Sequence, residues 1–100
     1  MQNELDRLYC HLLTAGFMVL RQATEAQDMG WVASELELLH NIPSLIGETK
    51  VGRHEYFWEK ERTRYVGFVA ASGSEMQRST MRTYYEPIWR EMEPLMGLRH

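Results

Sequence analysis

The residues best placed to do chemistry are Glu37 and His40, in the run Glu35-Leu36-Glu37-Leu38-Leu39-His40-Asn41-Ile42-Pro43. On a helix, a Glu-x-x-His spacing sets a carboxylate and an imidazole side by side. Helical bundles use that pairing to offer an oxygen and a nitrogen to one metal ion. The structural alternative is a helix-end histidine favoured by the helix dipole, next to a solvated glutamate.

A di-metal bundle takes two such motifs and two further glutamates, whereas this chain has one motif. In that motif alone it resembles the half-length ferritin-like proteins. The resemblance implies a divalent metal or iron site completed across a dimer.

A second group is the stripe His54, Trp58, Glu61, Tyr65 and Phe68, which recurs at helical spacing and sets an acid within an aromatic surface. A buried, unpaired glutamate costs several kcal/mol, about the scale that drives protonation instead. Glu61 therefore requires an arginine such as Arg82, a tyrosine hydroxyl, or a metal shared with His54; otherwise it is a structural ion pair or lies at an edge that reaches water. On the metal reading, Glu37, His40, His54 and Glu61 converge on one ion. No other cofactor is expected.

The remaining chemistry-bearing residues give less. Cys10 and His11 are adjacent and so diverge by about 100° on a helix, too far apart to act as nucleophile and base. A buried or half-buried thiol is the expectation for Cys10. His54-Glu55 begins like a zinc-protease helix, but Phe57 and Trp58 stand where the second histidine would be needed. There is no P-loop, dinucleotide fingerprint, paired-cysteine zinc motif or nucleophile elbow.

Composition narrows the class. The 100 residues, 44% of them hydrophobic, suit one domain over 1–100 with one small core. A net charge of −3 argues against a polyanion-binding surface, so nucleic acid is not an expected partner. The apolar run Phe17-Met18-Val19-Leu20 falls far short of the ~20 residues of a membrane span. With one cysteine and no staple framework, a reducing, cytoplasmic setting is expected. Residues 1–48 carry two basic and seven acidic side chains, and residues 49–100 carry nine basic and seven acidic. Opposed halves of this kind favour contact between copies if they occupy different faces.

The elements that must position these residues are helical. A first helix is expected from a cap at Asn3 to about Gln27, with apolar residues spreading around much of its circumference at Phe17 to Leu20. Asp28-Met29-Gly30 reads as a break, followed by a helix from about Trp31 to His40. Val32, Leu36 and Leu39 form its apolar face, and Asn41 is its left-handed terminator. Ser44 to Gly47 is a connector or a single turn, and Glu48 to Arg53 a loop. Residues 54–71 read as one helix or as a hairpin; the turn-free Glu-Lys-Glu-Arg at 59–62 and the pairs Glu59/Arg62 and Glu61/Arg64 favour the helix. After Ser72-Gly73-Ser74 a last helix follows, kinked or restarted at Pro87 and ended by Pro94 and Gly97.

The expected fold is therefore all-α, a small antiparallel bundle of three or four helices. Eight of the eleven aromatics lie between Tyr56 and Trp89, and Met81, Met92 and Met96 gather near the end of the chain. Such side chains suit a core or an adaptable contact surface. The leading expectation is a non-enzymatic protein-interaction module that self-associates, as a dimer, through Phe17, Met18 and Leu20 of the first helix and Met81, Tyr85, Trp89, Met92 and Met96 of the last. A further protein partner is compatible with that role. The competing class is a metal- or small-ligand-binding bundle built on Glu37 and His40.

Overall fold

In a computed structural model, which describes residues 2–67 and 74–96, four helices account for most of the described residues. They are α1 (Gln2–Glu25), α2 (Met29–Asn41), α3 (Val51–Val66) and α4 (Glu75–Leu95), with a 3-10 turn at Ile42–Leu45. Residues 54–66 lie in α3 and are not a hairpin. The upper part of that segment, including Phe68, and the stop at Ser72 and Gly73 lie outside the described residues. No described helix is long and apolar enough to cross a membrane.

α1 is the central element because its apolar positions recur at helical spacing over about five turns. Leu5, Leu8, Tyr9, Leu12, Ala15, Val19 and Ala23 are all buried. Its backbone makes the close seams of the fold, with α2 and with α4. Gly16 marks where they meet. A Cβ there would stand 2.7 Å from Leu39 Cδ2 and 3.5 Å from the Tyr85 hydroxyl, so glycine permits the approach. α1 already begins at Gln2, so Asn3 lies inside it.

The α1–α2 connection is tight. Gln27 takes the left-handed conformation (φ 57°) and Asp28 caps α2 by accepting the Trp31 N–H at 3.1 Å. Gly30, expected as the turning residue, is helical. At the far end Asn41 keeps right-handed angles and the chain tightens into the 3-10 turn, with Pro43 where no intrahelical donor is needed. The left-handed step comes at Gly47 (φ 83°), whose N–H donates to Asp6 Oδ1 of α1 at 2.9 Å.

Pro87 does not end or restart α4, which stops at Leu95, one residue past Pro94 and close to the expected end. The carbonyl four residues before Pro87 belongs to Thr83, and both residues are exposed, so the lost hydrogen bond faces water. The start of α4 is a full capping box: Ser74 Oγ accepts from Gln77 N at 3.1 Å, and Gln77 Oε1 accepts from Ser74 N at 2.8 Å. Gln77 Nε2 then donates to Asp28 Oδ2 at 2.8 Å, so one carboxylate serves the starts of both α2 and α4. Asp28→Ala should therefore cost about 2 kcal/mol by urea unfolding, a lost cap plus an orphaned, nearly buried Gln77 amide. A loss under about 0.5 kcal/mol would mean that water replaces both bonds.

The cross-helix contacts set the topology. Glu35 and Glu37 of α2 reach Arg64 and Lys60 of α3, and Trp58 and Tyr65 of α3 reach Trp89 and Glu86 of α4, in antiparallel order in both cases. Arg7 of α1 meets Glu91 of α4 and Gly16 lies against Tyr85, again in antiparallel order. Neighbours alternate in direction around the bundle. α3 stands off from the others and is joined to them through long side chains, with no close backbone seam.

A buried charge network and the groove beside it

The centre of the buried face of α2 is a glutamate. Trp31, Glu35, Leu38, Leu39 and Ile42 follow one another at helical spacing, and Glu35 is 0% exposed. Its Oε2 accepts from Arg64 Nη1 of α3 at 2.7 Å, and its Oε1 accepts the Tyr85 hydroxyl of α4. Arg64 also grips Glu61, with Nε 2.8 and 3.0 Å from the two carboxylate oxygens and Nη2 2.9 Å from Oε2. Nη1 donates to Ser34 Oγ at 2.9 Å, and the guanidinium lies 5.9 Å from the centre of the Tyr85 ring. One cation thus ties α2, α3 and α4 together.

The electrostatics follow from burial. Withdrawal from water pushes the Glu61 carboxyl above its usual range, against the opposing pull of Arg64. Burial also raises the Tyr85 phenol, and the charge and hydrogen bond of Glu35 add to the shift. Arg64 is held above its ordinary value: burial opposes its charge, but Glu61 and Glu35 outweigh burial.

His54, at the other end of α3, is also buried and fully engaged. A carbonyl can only accept, so His54 Nε2 donates to Glu48 O at 2.8 Å, which leaves Nδ1 to accept the Tyr9 hydroxyl at 2.7 Å. The ring stacks on Tyr9, and Phe57 meets Tyr9 edge-on. Burial, then the charge of Asp6, raises the Tyr9 phenol. The Glu48 side chain accepts from the N–H groups of Lys50 and Thr49 and from the Arg53 guanidinium, which fixes the turn leading into α3. The Lys50 N–H is the first reason that its carboxyl lies below its usual range.

The four residues expected to share a metal do not assemble around one. Glu37 is exposed and paired with Lys60 at 3.0 Å, His40 is exposed, His54 has both nitrogens engaged, and Glu61 is gripped by Arg64. Among the described residues no three His, Cys, Asp or Glu side chains are grouped to hold an ion. Glu37 and Glu61 do share a groove between α2 and α3, a cavity of about 290 Å³ that Ser34, Asn41, Phe57, Lys60 and Arg64 also line. Of the partners suggested for Glu61, Arg82 is not the one; Arg64, one helical turn along, is.

The expected contact surface divides in two. Met81, Tyr85, Trp89, Met92 and Met96 are buried within this chain's own core and offer no surface, because α4 packs its broad apolar face on α1 and α3. Phe17 (60% exposed) and Met18 are exposed, and Leu20 is half-buried. Cys10 is exposed too, contrary to expectation, because it lies on the outer side of α1 away from Leu8, Tyr9 and Leu12.

Glu35 is the functional-looking residue that sequence reasoning missed. It reads as a flank when Val32 and Leu36 are taken as the apolar face. Anchoring the face on Trp31, Leu38 and Ile42 places Glu35 at its centre. Compared with protein-family models, with curated proteins and with solved structures, the chain has no match.

Proposed function

We propose that this protein is a non-enzymatic helical interaction module that self-associates through the outer face of the α1–α2 pair. The supporting observation is Phe17, a large aromatic left 60% exposed on the element that otherwise anchors the core. Gly16 and Leu39 meet at the α1–α2 seam. One position outward on α1 is Phe17, and on the same side of α2 is Leu36, 51% exposed. Leu13 and Leu20, both half-buried, extend the strip along α1. From Leu13 through Phe17 and Leu20 to Thr24 this flank carries no charge.

A two-fold contact buries the same strip from both copies, so one exposed phenylalanine is covered twice by a single interface. Phe17→Glu places a charge at the centre of that contact. The variant should run as a monomer at concentrations where the wild type is dimeric, with its thermal midpoint as a monomer little changed because the Phe17 side chain is mostly exposed. Dimerisation at wild-type strength would overturn the assignment of this face.

A further inference from the structure

We infer that α3 is a releasable helix, one that swings out and back as a unit while α1, α2 and α4 stay folded as the body of the protein. α1 packs closely on α2 and on α4, backbone against backbone, whereas α3 makes no such seam. Its apolar hold is thin. Of its sixteen residues only two apolar side chains are buried, Phe57 and Trp58, and the other buried residues, His54 and Glu61, are polar. The body keeps its own ties when α3 leaves: Asp28 joins the starts of α2 and α4, Arg7 meets Glu91, and Leu39 fills the seam at Gly16. Elements with few buried apolar contacts are the ones that open below global unfolding.

The polar part of the contact lowers the cost of release. On opening, Glu35, Glu61, Arg64 and His54 all regain water, and that hydration offsets much of the attraction between the buried charges. The apolar seam between α1 and α4 has no such return. A pivot stands at the start of the helix. Residues 48–54 are tied into α3, since His54 Nε2 donates to the Glu48 carbonyl at 2.8 Å and the Glu48 carboxylate accepts from the Thr49 and Lys50 N–H groups. Just before them is Gly47, at φ 83°, fixed to the body by its N–H on Asp6 Oδ1 at 2.9 Å. With open space where a Cβ would be, Gly47 is free to turn the chain. Release uncovers the Tyr9, Tyr85 and Trp89 rings and the Glu35 carboxylate, all of which meet α3 in the closed form.

The test is native-state hydrogen exchange of the full wild-type chain, followed by NMR through sub-denaturing urea. The amides in the middle of α3, from Phe57 to Glu61, should share one opening, with protection about tenfold or more below that of the slowest α1 amides. Their urea dependence should be above zero but smaller than that of α1, because release exposes less surface than unfolding. Equal protection and equal slopes in α3 and α1 would overturn the inference, since α3 would then leave only with the whole fold. So would exchange in α3 with no urea dependence, which is fraying. Arg64→Met strands Glu35 and Glu61 in the closed form alone, so it should speed exchange across α3 by about a hundredfold or more. Unchanged α3 rates in that variant would show that the network is not the latch and would overturn the inference as well. α3 is held through Tyr9, Glu35, Tyr85 and Trp89, outside the Phe17 strip, so release and self-association stand or fall separately.

Discussion

Arg64→Met should destabilise the fold by about 3–5 kcal/mol, because it leaves Glu35 and Glu61 buried without their common cation. For a chain of this size that corresponds to a fall in thermal midpoint of more than ~12 °C. Methionine matches much of the arginine stem, so the loss reports charge rather than volume. The pH dependence fixes the cause. Burial already pushes the Glu61 carboxyl up, and without Arg64 nothing opposes that push. Its folded value then lies further above the unfolded one of about 4.3, so the stability linked to it is present below that pH and lost as pH rises through the folded value. The penalty should accordingly shrink in acid. A penalty of under about 1 kcal/mol at neutral pH would show that the carboxyls do not need the guanidinium.

Replacing the network as a unit should give the opposite result. Glu35→Leu, Glu61→Leu and Arg64→Met, made together with Tyr85→Phe so that no hydroxyl is stranded, remove every buried charge and its desolvation penalty at once. The combined variant is expected to equal the wild type or exceed it by about 1–4 kcal/mol in denaturant unfolding. Ser34 is only half-buried, so water can take the place of Arg64 on its hydroxyl. A loss of about 3 kcal/mol or more would mean that the polar contacts themselves hold α3 in place. The contrast between the single and the concerted change separates what the network contributes to stability from what it is kept for.

Much of the fold was legible because helical period and breakers agree. Asp28 as a cap, Ser74 as a cap and the turn-free 59–62 run each pointed to the element that forms. What was not legible has physical reasons. Asn41 and Gly30 carry turn propensity, but packing of Ile42 and Trp31 into the core keeps the backbone right-handed at both. Pro87 is tolerated well inside α4 because a long amphipathic helix loses a single outward-facing bond there.

The site was less legible than the fold. Glu61 was correctly read as an acid in need of a partner, and Arg64 was visible as its neighbour one turn away. Glu35 and Tyr85 come from other helices, and only the antiparallel register brings them to the same guanidinium. The four proposed metal ligands failed to converge for a related reason. His54 lies at the opposite end of α3 from Arg64, among Tyr9 and the Glu48 carbonyl, while Glu37 is exposed and paired with Lys60 and His40 is exposed on α2. The methionine and aromatic surplus of α4 gave no sign of whether it would be core or surface. A bundle in which α3 stands off needs large side chains to fill the space, and α4 supplies them.

Sedimentation velocity of the untagged wild-type chain over a range of concentrations tests the proposed self-association most directly. A monomer–dimer equilibrium whose dimer disappears in Phe17→Glu is the expected result. A single monomer boundary at every concentration would contradict a self-associating role and leave Phe17 and Leu36 as isolated exposed side chains.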